Sequence, residues 1–445
     1  MDTIIRRAAF CLLLMLFLNP LLIISYSPSL IGAVFLIGLL TGFYGYINFA
    51  PSKSKSGIRR IKILNGGYEL ILMAIICFTL EAAIYTFILI RGRGINRHIL
   101  VINAVVCAVF LLILLINGSI RIFVCSRQLG IMPKALFVLL WWLPIVNIIL
   151  LKKFLDVSGE EYNFTVRKEA LNINRKGEEL CRTKYPVLLV HGVFFRDWKN
   201  FNYWGRIPEE LTDNGAAIYY GEQQSAASVE QCGNELKNCI LRIVEETGCE
   251  KVNIIAHSKG GLDSRYAISC LGMGRYVASL TTINTPHHGC KYVGEIIKKI
   301  PEKVISAVGD KYDSLFAKLG DDAPDFLSSL KNLTDSECAR LNEIMKDDGG
   351  VLYQSTGSRV RRASGAMFPL NIGYRVIKAA GEGDNDGLVS TKSMAWGNFL
   401  GVVSPKGKNG ISHGDVIDLT RKNIEGFDVC EFYVDLLNKL KTNGL

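Results

Sequence analysis

Long apolar runs fill the first third of the chain, whereas shorter apolar runs alternate with amphipathic stretches in the rest. Five apolar segments lie at about 8–26, 29–49, 68–90, 98–117 and 134–151. A helix needs about 20 apolar residues to cross a bilayer. The fifth segment is short and contains Pro144, Trp141 and Trp142, so an interfacial helix is the alternative there. The pattern predicts an all-α membrane domain of four or five helices over 1–152.

From Tyr185 onward the pattern changes to short strand-like runs. These runs occupy 186–192, 216–220, 251–258 and 277–286, and the segments 205–213 and 228–247 between them have helical composition. Continuous apolar strands separated by helices are typical of a parallel sheet covered on both faces. We therefore predict an α/β domain over 185–445, reached through a polar linker or peripheral helix at 153–184.

The positive charge of the chain belongs to its membrane-like part. Residues 1–150 contain 13 Lys and Arg but only three acids, and the remainder contains 38 of each sign, so the net charge of +10 arises in the first part (13 − 3). That charge lies in short loops between apolar runs. It therefore indicates an integral membrane protein and argues against a nucleic-acid partner.

The charged loops also predict an orientation. With five spans, one side would carry Arg6, Arg7, the basic cluster at 53–62 and the positive charges at 121–134, and the other would carry Arg91, Arg93 and Arg97. The positive-inside rule then predicts a cytoplasmic N-terminus and an α/β domain facing outward from a multi-pass protein of the cell membrane. The eight cysteines from Cys181 onward lack metal-ligand spacing, and they suit a reducing compartment as well as four disulfides.

Glu81 is an acid inside the third predicted span. It could serve an ion or proton relay, since intramembrane acids are costly and often functional. The alternative is a neutral side chain that is hydrogen-bonded to a neighbouring helix. We favour the second interpretation because no partner charge lies in the interior of another predicted span.

The segment AHSKG, residues 256–260, follows a predicted strand and precedes a predicted helix. This context is typical of the nucleophile elbow, a strained turn that exposes a catalytic serine and needs small residues two places on either side of it. Ser258 is therefore the candidate nucleophile. The HGV sequence that ends the first strand predicts an oxyanion hole, formed by the backbone N–H groups of Val193 and Lys259.

The candidate base and acid follow from chain order. In this type of enzyme the acid and then the histidine come after the serine, and His413 is the last of six histidines. The segment 374–390 predicts a strand and a Gly-rich turn with two candidate acids, Asp384 and Asp386. We select Asp386 to orient the imidazole. An Asx turn and a calcium loop are the alternatives for D-N-D-G, but no Glu stands at the twelfth position that an EF-hand requires.

The stretch from Tyr185 to about Asp415 resembles the bacterial triacylglycerol lipases typified by Pseudomonas and Burkholderia enzymes. The resemblance rests on YPVLLVHG, YWGRIPEEL, EKVNIIAHSKGGLDSRY, SLTTINTPHHG, NDGLVS and SHGD. It implies an α/β-hydrolase fold and the same triad and oxyanion donors. Two residues depart from the usual elbow of that family, because Ala256 replaces Gly and Lys259 replaces His.

The resemblance also bears on a metal and on a lid. The family's structural calcium uses two carboxylates; Asp415 matches one of them, but 354–370 contains no acid for the other. We therefore expect no required cofactor. The insert at 291–348 has helical patterning where lipases carry a lid, with a packed helical cap as the alternative. Six aromatic residues follow the predicted oxyanion loop and are expected mainly as core: Phe194, Phe195, Trp198, Phe201, Tyr203 and Trp204.

These observations predict a membrane-anchored serine hydrolase that cleaves lipid esters through an acyl-enzyme. A phospholipase or an acyltransferase would use the same residues. A different hypothesis makes the membrane helices the functional part, as a transporter or sensor, with the α/β domain as a binding module. Against it, Glu81 is the one acidic or basic residue away from the ends of the predicted spans, and no pair of broken helices recurs. Membrane lipids are the expected partners, and the sequence predicts no oligomeric state.

Overall fold

The computed structural model describes residues 2–91, 96–140, 142–193, 202–299, 301–318, 321–405 and 407–445. They form two compact units, Met1–Asn174 and Arg175–Leu445. The first unit is helical, and the second contains the sheet.

The helices of the first unit are mostly long and apolar. They are α1 Asp2–Leu18, α2 Pro20–Tyr26, α3 Leu30–Phe49, α4 Arg59–Arg91, α5 Arg97–Cys125, α6 Ile131–Leu139 and α7 Pro144–Asn174. In the described part of the chain, α3, α4 and α5 are long and apolar enough to cross a membrane. The helices α1 and α2 make a fourth candidate span, bent by 68°. Three of the predicted apolar helices, or four if the bent pair is one span, are thus present with the length and composition that a membrane span needs.

The fifth predicted segment, 134–151, does not form one long helix, and no candidate span is found there among the described residues. The structure divides it between α6 and α7. Pro144 begins α7, since proline suits the first turn of a helix, where its missing N–H costs nothing. The apolar start of α7 is too short to span a membrane, because its continuation is polar. That continuation includes residues 153–174 of the predicted linker.

Glu81 is hydrogen-bonded to a neighbouring helix. Its Oε1 accepts from Nδ2 of Asn19, the residue between α1 and α2, at 2.7 Å. Asn103 of α5 donates in turn to Asn19 Oδ1 at 2.8 Å and to the Tyr85 hydroxyl at 2.6 Å. This polar cluster joins the bent pair to α4 and α5, in line with the structural interpretation of Glu81.

The second unit is built on six parallel strands. They are β1 Val187–Val190, β2 Ile218–Tyr220, β3 Val252–His257, β4 Val277–Ile283, β5 Leu352–Ser358 and β6 Asn398–Val403. Their order in the sheet is β2-β1-β3-β4-β5-β6. Every pairing among the described strands is parallel. The predicted parallel sheet is confirmed.

Helices cover both faces of this sheet. Beyond the first unit they are α8 Ile207–Asp213, α9 Val229–Thr247, α10 Lys259–Cys270, α11 Lys291–Lys299, α12 Glu302–Lys318, α13 Phe326–Lys331, α14 Asp335–Ile344, α15 Leu370–Ala379 and α16 Val429–Thr442. Alternate strand residues enter different cores: Leu189 packs in the cluster that contains α8 and α16, and Leu188 in the cluster that contains α9 and α10. This two-sided burial explains why the strands are apolar at every position.

One predicted strand is a helix. Residues 374–379 belong to α15, where Ile377 is buried and Ile372 is exposed. A short β-branched run does not by itself distinguish a strand from a helix, and here the packing of one helical face decides.

The sheet order reverses at β1 and β3. In open parallel sheets, ligands bind beyond the carboxyl ends of the strands at such a point. The loops that follow β1 and β3 begin with His191 and Ser258, so the fold places both predicted motifs at this edge.

Candidate active site

Ser258 occupies a strained turn between β3 and α10. Its backbone has φ 53° and ψ −131°, a conformation that non-glycine residues rarely adopt, and its N–H donates to Ile283 O at 2.9 Å. The flanks are tightly packed: a Cβ on Gly260 would lie 2.3 Å from His191 O, and Ala256 is completely buried. The turn therefore needs the small residues that the elbow motif supplies.

The loop after β1 lies directly against Ser258. A Cβ on Gly192 would be 2.8 Å from Ser258 Cβ, so only glycine permits this approach. Val193 follows, and Lys259 is the first residue of α10. Within the described residues, neither Val193 nor Lys259 donates a hydrogen bond from its backbone N–H. The first N–H groups of a helix lack intrahelical acceptors, so the Lys259 N–H is available to an anion.

His413 and Asp386 form a buried pair. The His413 ring Nδ1 lies 2.6 Å from Asp386 Oδ2, and the backbone N–H of His413 donates to Asp386 O at 2.9 Å. The Asp386 side chain is completely buried, and its Oδ1 accepts from the backbone N–H groups of Leu388 and Val389 at 2.8 and 2.7 Å. These donors stabilise the carboxylate and leave Oδ2 to orient the imidazole.

Asp384, the other candidate acid, points elsewhere. Its carboxylate pairs with Lys378 at 2.9 Å and with Arg359 at 2.5 Å, on a partly exposed surface. Hydrogen bonds from Lys378 and then Arg359 lower the pKa of Asp384. The structure thus brings Asp386, and not Asp384, to the histidine.

His257 links Ser258 to His413. It precedes Ser258 in the chain, and its ring centroid lies 4.4 Å from that of His413. The Tyr203 hydroxyl lies 2.6 Å from His257 Nδ1 and accepts from the backbone N–H of Gly192 at 3.0 Å. Burial lowers the pKa of His257 well below its usual value, as does its proximity to His413. The neutral His257 ring therefore packs against the ring of His413, the candidate base.

Ser258 and His413 are not hydrogen-bonded to each other in the described residues. The position of His413 relative to Ser258 is set by the neighbouring His257 and by the loop that carries His413. Hydrogen bonds of this kind are often long or poorly aligned before substrate binds.

The side chain of Lys259 makes a buried ion pair that the sequence motif did not reveal. Its Nζ lies 2.6 Å from Asp263 Oδ1, one helical turn later, and both side chains are 3% exposed. Burial alone would lower the pKa of Lys259, but the Asp263 carboxylate outweighs it, so that pKa is raised. The K-x-x-x-D spacing was visible in the sequence, although its burial was not. The pair stiffens the first turn of α10, which carries the candidate oxyanion N–H.

The remaining histidines play other parts. His191 contacts Gln223 O through Nε2 at 2.9 Å, and Gln223 donates back to His191 O at 2.9 Å, so this reciprocal pair holds the oxyanion loop. The ring of His287 lies 2.9 Å from the Thr282 hydroxyl and stacks on Trp396. His288 is exposed. None of the three contacts the His413 and Asp386 side chains.

Asp415, the possible calcium ligand, accepts hydrogen bonds from a neighbouring residue. Its Oδ2 accepts from the backbone N–H and the hydroxyl of Ser412 at 3.1 and 2.6 Å, so it fixes the turn that carries His413. In the parts of the chain that the structure describes, no group of three or more His, Cys, Asp or Glu residues is arranged to hold a metal ion.

Four of the six predicted core aromatics, Phe194, Phe195, Trp198 and Phe201, lie outside the described residues. The other two are buried: Tyr203 bonds to His257, and Trp204 packs edge-on against Tyr433 of α16. These two side chains join the oxyanion loop to the core.

Known proteins share the sheet region of this chain. The family described as "Putative serine esterase (DUF676)" matches residues 187–322. A triacylglycerol lipase of Vibrio cholerae is 30% identical over 288 residues, which cover 59% of this chain and 90% of that lipase. Triacylglycerol lipases of Pseudarthrobacter phenanthrenivorans and Burkholderia plantarii are each 34% identical over 179 residues. Those matches cover 38% of this chain and 56% and 49% of the relatives, so the chain spans about half of their length.

The match to the Vibrio lipase is both long and specific. It covers nine-tenths of that protein, and the chain has the α/β sheet, the strained serine turn and the buried aspartate–histidine pair described above. The chain belongs to the bacterial triacylglycerol lipase family.

Proposed function

We propose that this chain is a membrane-anchored serine hydrolase that cleaves the carboxylic esters of lipids, with acylglycerols as the substrate class. The observation that carries the proposal is the strained Ser258 turn against Gly192, at the edge of the sheet that also receives the His413–Asp386 pair. The names of its relatives support the choice of acylglycerols.

The proposed reaction proceeds through an acyl-enzyme. Ser258 Oγ attacks the ester carbonyl carbon while His413 takes its proton, and the backbone N–H groups of Val193 and Lys259 stabilise the oxyanion. His413 then protonates the departing alcohol. In the second half, His413 activates a water molecule, which releases the fatty acid and restores Ser258. Asp386 stabilises the imidazolium in both halves. No step requires a metal ion.

The helices α11 and α12 are the proposed lid. One side of α12 packs through Phe316 in a cluster that contains Val193 of the oxyanion loop. Other apolar side chains of the two helices are exposed to solvent: Ile296, Val304, Val308 and Leu315. Exposed apolar groups next to a catalytic edge favour contact with a lipid surface, and movement of α12 would alter access at Val193.

The first prediction concerns acyl length. The full-length protein, assayed in a buffer that contains a chelator, should hydrolyse long-chain acylglycerols dispersed above their solubility limit faster than short, soluble esters. The exposed apolar face of α11 and α12 gains contacts only at an interface. Titrimetric release of fatty acid across acyl lengths measures this. Activity confined to soluble esters would contradict the lipase assignment. Activity lost with the chelator would contradict the absence of a metal requirement.

The side of the membrane is the next part of the proposal. The loop between α3 and α4 is separated from the second unit by two candidate spans, α4 and α5. Two crossings return the chain to the side from which it started. The loop and the second unit therefore lie on the same side of the membrane, whether or not the bent pair spans it. Within the first unit, Ser56 of this loop donates to Glu169 of α7 at 2.8 Å, and Tyr162 lies 3.2 Å from the Lys55 backbone nitrogen. The loop thus packs on the helix that leads to the sheet unit.

The positive-inside rule now favours a cytoplasmic hydrolase domain. Five Lys and Arg residues lie at 53–62, against three at 91–97 on the opposite side. The outward placement depended on the fifth span, which the structure divides. All twelve cysteines are free thiols, as is usual in a reducing compartment.

Exposed Cys270 gives a direct test of this placement. A membrane-impermeant maleimide should label the protein in inside-out vesicles and not in intact cells. The Cys270→Ser variant provides the background from the other thiols. Labelling in intact cells that disappears in Cys270→Ser would place the domain outside.

A further inference from the structure

A basic cavity lies within the helical unit, at the end where α1 begins and the loop between α3 and α4 is found. Its volume is about 970 Å³. Side chains from α1, this loop, α4 and α7 line it. Its charged lining residues are Arg6, Arg7, Lys53, Lys55, Glu69 and Arg167. Five cations against one carboxylate give the cavity a strong attraction for anions.

The single lining carboxylate is already paired. Glu69 accepts two hydrogen bonds from Arg7, each of 2.8 Å, and Arg6 lies 3.9 Å from the same carboxylate. In the described part of the chain, Lys53, Lys55 and Arg167 form no ion pair. The net charge of the cavity therefore stays positive after its internal pairing.

An apolar cleft adjoins the basic cavity. This second cavity has a volume of about 130 Å³ and shares Arg6, Arg7, Lys53 and Glu69 with the first. Its other lining residues come from α1, α3, the loop after α3, α4 and α5, and they include Phe10, Tyr46, Ile47, Leu70 and Met73. Arg121 of α5 also reaches it, and donates to Ala50 O at 3.3 Å. Cationic and apolar walls thus meet at the shared residues.

We propose that the joined cavities bind an anionic phospholipid. Arg6 and Lys53 would contact the phosphate, together with the free edge of Arg7, and the start of an acyl chain would enter the apolar cleft. A free phosphate ion would leave the apolar cleft unused, and a zwitterionic headgroup would place its own cation among these positive side chains. Basic pockets between membrane helices on the cytoplasmic side are suited to anionic lipid headgroups.

This site lies in the helical unit, apart from Ser258, so the proposal does not depend on the proposed reaction. It gives the membrane helices a role beyond anchoring. The bound lipid would join the start of α1 to the loop between α3 and α4, two segments that supply four of the cavity's five cations.

The test uses the full-length protein, delipidated in a neutral detergent. Binding is measured by native mass spectrometry and by the shift in thermal unfolding on addition of palmitoyl-oleoyl phosphatidylglycerol, the matching phosphatidylcholine or inorganic phosphate. The site variant is Arg6→Gln with Lys53→Gln. Its matched control is Lys152→Gln with Lys153→Gln, which removes two exposed charges from α7 outside the cavity.

We expect the phosphatidylglycerol adduct in the wild type and the control, and an apparent affinity at least about tenfold weaker in the site variant, as two lost cation contacts imply. Phosphatidylcholine and inorganic phosphate should bind weakly to all three. Equal binding of both lipids, or equal losses in the site variant and the control, would overturn the proposal. Stabilisation by phosphate as strong as by phosphatidylglycerol would show an anion site that recognises no lipid, and would also overturn it.

Discussion

The Ser258→Ala variant of the full-length protein should lose ester hydrolysis, with kcat about four to six orders of magnitude below the wild type. Alanine removes the one atom that forms the acyl-enzyme. It keeps the tight packing of the turn, since the backbone and the Cβ beside Gly192 are unchanged. The variant should also fail to react with a fluorophosphonate, which labels activated serines covalently.

A second serine gives the matched control. Ser364 is exposed in a short turn of the same unit, and Ser364→Ala should keep the wild-type rate and the fluorophosphonate label. Unfolding curves of both variants should match the wild type, so that a loss of activity reports chemistry and not folding. If Ser258→Ala hydrolysed esters as fast as the wild type, the proposed nucleophile would be wrong.

The elbow could be found in the sequence because its constraints are local. A buried parallel strand is apolar at every position, and the strained turn requires small residues at fixed distances from the serine. Ala256 and Gly260 meet those requirements in the printed sequence. The parallel order of the strands follows from the same pattern, since each apolar run is followed by a helix.

The errors arose where neighbours in space decide the outcome. The run at 374–379 has the composition of a strand, yet it forms part of α15, because one side of a helix packs there through Ile377. Likewise, the segment at 134–151 is apolar enough to suggest a span, but Pro144 starts a new helix whose continuation is polar. Local composition determined neither the helical structure of 374–379 nor the helix break at Pro144.

The packing around His413, the candidate base, depends on contacts between distant parts of the chain. Nothing in the sequence indicates that the His257 ring lies against His413, or that the Tyr203 hydroxyl contacts the Nδ1 of His257. The burial of the Lys259–Asp263 pair was equally hidden, although its i,i+4 spacing was not. Sequence order located the groups proposed for the reaction, whereas the groups that hold them appear only in the folded chain.

Of the two acids in the D-N-D-G turn, Asp386 is proposed to orient the catalytic histidine and Asp384 is not, so the same substitution at each position tests the assignment. Asp386→Asn should lower kcat by about 10⁴-fold, a loss typical of a wrong histidine tautomer. In Asp386, Oδ1 is held by the N–H groups of Leu388 and Val389, so the new amide nitrogen must take the place of Oδ2. A donor would then face His413 Nδ1, which would have to become the acceptor. The proton would move to Nε2, and the ring could no longer take the proton of Ser258.

Asp384→Asn is the matched control, because it makes the same chemical change two residues earlier. It removes only ion pairs to Arg359 and Lys378 on a partly exposed surface, and such pairs contribute little to stability. Its kcat should therefore stay within about twofold of the wild type. Steady-state hydrolysis by both variants, with fluorophosphonate labelling rates as a second readout, measures the difference. If the two variants lost activity equally, the acid would act through the fold of the turn; if Asp384→Asn alone lost activity, the assignment of the acid to Asp386 would be reversed.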